Sequence, residues 1–140
     1  MWREFYDDAG TPRREAFSQK LFFVVASSYC DANRIDVTPE AETGNGPVDF
    51  KFSNGDFRII VEIKLSTNSK VVHGYGTQTR VYGDAERAVR SYFVLVDVGS
   101  MGRKVGALFR KRQELVSMGA ENLPALEIVD ATPKRSASKR

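Results

Sequence analysis

Between residues 48 and 65 apolar and polar positions alternate with a period of two, first as Val48, Asp49, Phe50, Lys51, Phe52, then with apolar Phe57, Ile59, Val61, Ile63 and Leu65. This is the signature of two half-buried strands. Ser53-Asn54-Gly55-Asp56 separates them, and Asn-Gly predicts a two-residue type I′ hairpin turn. With Asn54 and Gly55 as the loop, Ser53 pairs with Asp56 and Asp49 falls opposite Ile60. Glu62 is then the diagonal neighbour of Asp49, and Asp49, Ile60, Glu62 and Lys64 share one face. Val48, Phe50, Phe52, Phe57, Ile59, Val61, Ile63 and Leu65 form an apolar row on the other. The assignment rests on the turn, because a one-residue bulge would carry Asp49 to the opposite face.

The remaining pattern places further elements around this hairpin. Thr11-Pro12 reads as an N-cap with proline at the first helical position, and Phe17, Leu21, Val24 and Val25 recur at helical spacing, so a helix is predicted over 12–32. A short edge strand is expected over 35–37, and 40–47, with Gly44 and Gly46, reads as a flexible lead-in. Residues 66–76 turn to Ser, Thr, Asn and Gly and predict a loop bordering the charged face. Thr77 would then cap a helix through about residue 90, with Gln78, Tyr82 and Glu86 along one side. The apolar run 92–98 predicts a strand covered on both faces. A helix over 103–118 and a last strand over 126–129 complete an α-β-β-β-α-β order with additions, an α/β chain with no internal repeat.

Composition narrows the class. With 140 residues, 41% of them hydrophobic, the chain can bury a core without disulfides or metals to hold it. Residues 1–130 are expected to form a single domain, and 131–140 a basic, disordered tail. The single cysteine, Cys30, excludes an internal disulfide and fits a reducing compartment. No apolar run approaches membrane-spanning length and no secretory layout opens the chain, so a cytoplasmic protein with no membrane association is expected. The net charge of +3 misleads. Four of the 21 basic residues lie in the last ten positions, leaving 17 against 18 acidic ones in the body. Overall charge therefore says little about nucleic acid. The cluster Arg103, Lys104, Arg110, Lys111 and Arg112 says more: it suits phosphate backbones, and it equally suits a solvated helix surface.

The charged hairpin face is where chemistry is expected. Asp49, Lys51, Arg58, Glu62 and Lys64 would also suit a solvated face with cross-strand ion pairs, but Ile60 among them argues for a covered face and a cleft. Pro47-Val48-Asp49 followed by Glu62-Ile63-Lys64 on an apolar strand resembles the PD-(D/E)XK nuclease superfamily. The preceding helix, the Asn-Gly hairpin and Gln78-x-x-x-Tyr82, similar to an accessory motif of that superfamily, extend the resemblance over residues 15–98. Val48 between Pro47 and Asp49 is the one departure.

The resemblance implies a restriction-endonuclease-like fold, a mixed central sheet flanked by helices. It implies Mg²⁺, with Mn²⁺ as a substitute, held by Asp49, Glu62 and the backbone carbonyl of Ile63, with Glu15 of the first helix as a further candidate ligand beside Gln19. Glu15 would equally suit a solvated first helical turn. Lys64 would orient or help deprotonate water and stabilise the phosphorane, a role that a lysine pKa lowered beside a dication would suit. Gln78 and Tyr82 would position Lys64, water or phosphate, and would equally suit ordinary helix polarity with Tyr82 packed. His73, the only histidine, is a candidate phosphate contact or simply loop surface.

The function expected is hydrolysis of DNA phosphodiester bonds, by an endonuclease in preference to an exonuclease and on DNA in preference to RNA. A homodimer or a partner protein would supply specificity. The alternative is a noncatalytic nucleic-acid-binding or assembly module on the same fold. No Ser-His-Asp arrangement, zinc cluster or Walker-type loop competes.

Overall fold

The computed structural model describes residues 2–42, 47–84 and 88–135, the side chains of 42, 47, 78–84 and 88–89 excepted. After a short 3-10 helix, Trp2–Phe5, come α1 (Glu15–Ala32), β1 (Asp36–Glu42), β2 (Pro47–Asn54), β3 (Phe57–Leu65), α2 (Val71–Asp84), β4 (Ala88–Asp97), α3 (Lys104–Ser117) and β5 (Ala125–Asp130). The five strands form one sheet in chain order. β1, β2 and β3 are antiparallel neighbours, whereas β3, β4 and β5 run parallel. Each parallel step needs a crossover, and α2 and α3 supply the two. The result is the expected mixed α/β sheet with its α-β-β-β-α-β order.

Strand alternation divides the core into two layers. On one face Phe50, Val61, Ile63, Leu65 and Val96 pack with Phe22 and Phe23 of α1. On the other, Phe93 and Leu95 of β4 pack with Val71 and Tyr75 of α2 and Leu108 of α3. Because Glu62 and Lys64 pair with Phe93 and Leu95, they belong to this second, helix-covered face. Ile60 is only 2% exposed, as a covered face requires. The opposite row is less complete than its sequence suggests, since Phe57, next to the hairpin turn, is 67% exposed.

Several element boundaries differ from the sequence reading, among them the end of α2, at Asp84 rather than about 90, and the start of β4, at Ala88 rather than 92. Pro12 does not begin α1. Asp7 Oδ1 accepts the N–H groups of Ala9 and Thr11, and the local turn so formed places Pro12 in a bridge with Tyr6, delaying the helix to Glu15. β1 extends through Glu42 rather than yielding to a loop at 40; an edge strand tolerates Pro39. Thr43, Gly44, Asn45 and Gly46 lie outside the described residues. α2 starts at Val71, not Thr77, because Val71 and Tyr75, one turn apart, are both buried against β4, and that burial outweighs the helical cost of Gly74 and Gly76. Thr77 is therefore inside the helix, its hydroxyl donating to the His73 carbonyl at 3.1 Å. Ala131, assigned to the tail by sequence, is 1% exposed; its carbonyl accepts the Tyr6 hydroxyl and its N–H bonds Asp97.

Candidate active site

The hairpin turn fixes the site. Its central residues are Gly55 and Asp56, not Asn54 and Gly55: Asn54 pairs with Phe57 and Lys51 with Ile60. Gly55 stands at φ +59°, the first central position where a type II′ turn places glycine. This turn leaves Asn54 in the strand and avoids the second positive φ that type I′ demands. The register moves by two residues, so every side chain keeps its face, and the next position of the ladder sets Asp49 directly opposite Glu62 rather than diagonal to it.

There the regular ladder gives way to side-chain contacts. Asp49 Oδ2 accepts the N–H of Ile63 at 2.7 Å, and Glu62 Oε2 accepts the N–H of Asp49 at 3.3 Å. Each carboxylate thus caps the other strand's backbone. Asp49 Oδ1 accepts Gln19 Nε2 of α1 at 2.8 Å. Lys64 Nζ lies 2.8 Å from Glu62 Oε1 and 3.1 Å from Glu15 Oε1, while Glu15 Oε2 accepts the Leu65 N–H at 3.2 Å. Glu15 and Gln19, one helical turn apart, therefore reach around the end of the hairpin and grip β3 and β2 respectively.

Electrostatics follow from burial. Glu62 is 3% exposed, a depth at which a carboxylate must be paired, and Lys64 supplies the pairing charge. Burial, then the neighbouring Glu62 charge, push the Asp49 carboxyl up to about 6. Burial pulls the Lys64 ammonium down, but the hydrogen bond and charge of Glu62 and the charges of Glu15 and Asp49 outweigh it and hold Lys64 above the ordinary lysine range.

A hard cation would find oxygen donors here. Among the described residues no three His, Cys, Asp or Glu side chains gather as a metal cage; a cation here would draw on Asp49 and Glu62 together with backbone and water. The N–H and C=O of one strand residue point to the same edge. Since the Ile63 N–H is directed at Asp49, its carbonyl is directed to that side too. Two carboxylates, a carbonyl and waters suit Mg²⁺, which keeps several waters and asks for few protein ligands.

The other candidates are dispersed. Gln78 and Tyr82 lie on the α2 backbone with side chains outside the described ones, and Glu86 is outside altogether. His73 is exposed on α2 and lines a cavity of about 240 Å³ with Gly76, Thr77, Lys111 and Leu115. The members of the basic cluster have different surroundings. Arg103 and Arg110 are exposed, and Arg112 brings its positive charge near the Tyr75 hydroxyl. Lys111 pairs with Glu114 at 3.3 Å. Lys104 Nζ donates to the Ser66 carbonyl, holding the chain just past Lys64.

Two supporting residues escape the sequence reading. Ser66, fully buried, accepts the Val98 N–H and donates to the Gly99 carbonyl, tying the end of β3 to the end of β4; a lone serine after a strand carries no signal of this. Glu40 stands at φ +48° between the paired positions Pro39↔Phe50 and Ala41↔Val48, across from Asp49. Only the structure shows that unusual backbone.

Comparison with known proteins gives one sequence family and one remote fold likeness. No curated protein matches the chain. The structure of Pyrococcus furiosus SfsA in complex with Ca²⁺ is similar over 81% of this chain and 53% of that one, with 12% identity and a TM-score of 0.43, so the chain spans about half of that protein's length. Residues 1–100 match the family described as a domain of unknown function, DUF8371. Those residues include α1, β1, β2, β3, α2 and β4, and with them Glu15, Gln19, Asp49, Glu62 and Lys64: the chain belongs to the DUF8371 family.

Proposed function

We propose that the protein is a metal-dependent nuclease of the PD-(D/E)XK type, hydrolysing phosphodiester bonds of DNA at Asp49, Glu62 and Lys64. The observation that carries this reading is the meeting of the two carboxylates across the β2–β3 register, with Lys64 on the same face 2.8 Å from Glu62. Asp49, Glu62 and the Ile63 carbonyl would hold Mg²⁺. When bound, the cation neutralises charge on the phosphoryl oxygens and lowers the pKa of water.

The protein's own groups do the rest. Mutual repulsion of Asp49 and Glu62 makes a positive charge between them favourable. Gln19 and the Ile63 N–H fix the Asp49 carboxylate by its two oxygens, so it meets a ligand already oriented. Lys64, paired with Glu62 and Glu15, places an ammonium beside the site, where it would stabilise the negative charge that develops on the phosphorane. Glu15 fixes where the ammonium points.

Calorimetric titration with Mg²⁺ tests the site apart from turnover. The native protein should bind the ion, and Glu62→Gln, which keeps the side chain's size but removes its charge, should weaken binding at least roughly tenfold. Equal binding by both would favour the noncatalytic module.

A further inference from the structure

A groove runs between α1 and the β1–β2 pair, with a cavity of about 460 Å³, within the range of about 300 to 1,000 Å³ typical of ligand pockets. Its walls are mostly carbon. Phe23 and Phe50, whose rings stack at 6.3 Å with planes 12° apart, line it together with Pro39. Asp49 and Gln19 also line it, so the groove and the candidate active site share two residues. Across from Asp49, the left-handed backbone of Glu40 interrupts the β1–β2 pairing. A non-glycine residue at φ +48° is conformationally costly, and such outliers cluster at binding sites.

The chemistry selects the occupant. Glu40 and Asp49 make the groove acidic, with Lys20 as its one basic lining residue, which disfavours a phosphate within it. A flat, uncharged aromatic ring with polar edges suits its aromatic walls and the amide of Gln19. We infer that this groove receives an unstacked nucleobase next to the phosphate bound at Asp49 and Glu62, so that the preferred substrate is DNA carrying an unpaired nucleotide at the cleavage point. A base inside a duplex is stacked and paired and must be extruded to enter; a single strand offers it freely. The inference rests on the nuclease reading for the phosphate and adds the substrate class.

Ala16 and Val24 line the groove from α1 and are exposed, so Ala16→Trp and Val24→Trp would fill it without hollowing the core. The probe is a single-stranded oligonucleotide containing 2-aminopurine, titrated in Mg²⁺ into the Lys64→Ala protein, with a blunt duplex of the same sequence as comparison. Thermal unfolding identifies a folded filler, and either one suffices. The Lys64→Ala protein should bind the single strand at least tenfold more tightly than the duplex and change the 2-aminopurine fluorescence. A folded filler should abolish both the preference and the fluorescence change. Unchanged single-strand binding in the fillers, or a preference for the blunt duplex, would overturn the inference. Failure of the nuclease reading has a separate mark, absence of Mg²⁺-dependent cleavage of either DNA by the native protein.

Discussion

Asp49 is the residue on which most of the site converges: it caps Ile63, accepts Gln19 and faces Glu62. Its ionised form is costly, since burial and Glu62 raise its pKa to about 6 from about 3.9 in an unfolded chain. The sign follows from proton binding. Between those two values the folded state holds a proton that the unfolded state has lost, so stability falls as pH rises from about 4 through 6 and recovers on acidification. Two pK units correspond to about 3 kcal/mol, and partial solvent access reduces this to on the order of 1 to 2 kcal/mol. Asp49→Asn should therefore flatten the slope between pH 4 and 6; at neutral pH the relief of the buried charge is offset by a lost hydrogen bond, since an amide has one acceptor oxygen for the two donors, Gln19 and Ile63. Urea denaturation of both proteins across that range checks it; an unchanged slope in the variant would contradict it.

At the scale of elements, the site depends on a turn and a tie. Gly55 needs its positive φ, and a Cβ there would meet nothing within 4 Å, so Gly55→Ala should cost about 1 kcal/mol from backbone conformation alone. Chemical denaturation measures this directly, and a stabilised variant would refute the assigned turn. Ser66→Ala leaves the buried Val98 N–H without its acceptor and should cost about 1 to 3 kcal/mol, visible as a lowered denaturation midpoint. The hairpin was legible in the sequence because alternation over 48–65 leaves few alternatives, and because either two-residue turn puts Asp49, Glu62 and Lys64 on the same face. Which turn forms was not legible: Asn-Gly suits type I′, and Gly-Asp suits type II′ equally well. The start of α2 was obscured by its local composition, since Gly74 and Gly76 read as loop while burial of Val71 and Tyr75 against Phe93 decides the helix. The grip of Glu15 and Gln19 on β3 and β2 is a tertiary contact that spacing within α1 can suggest but not fix.

For the molecule as a whole, the sheet order sets the division of labour. β3 sits at the centre, antiparallel to β2 and parallel to β4, so its end carries Glu62 and Lys64 while helices cover both faces. β1 and β5 are the edges, and Ile128 and Val129 of β5 remain 44% and 42% exposed. Amide exchange should accordingly be slowest in β3 and β4 and fastest in β1 and β5; fast exchange at Val61 and Ile63 would contradict this arrangement. Among the described residues no helix is long and apolar enough to cross a membrane. Mg²⁺-dependent cleavage of DNA by the native protein and by Asp49→Asn, Glu62→Gln and Lys64→Ala tests whether the rigid sheet centre presents its two carboxylates and ammonium to a phosphodiester. Cleavage should require the metal and fall roughly a hundredfold or more in each folded variant, whereas undiminished cleavage by all three would contradict that role.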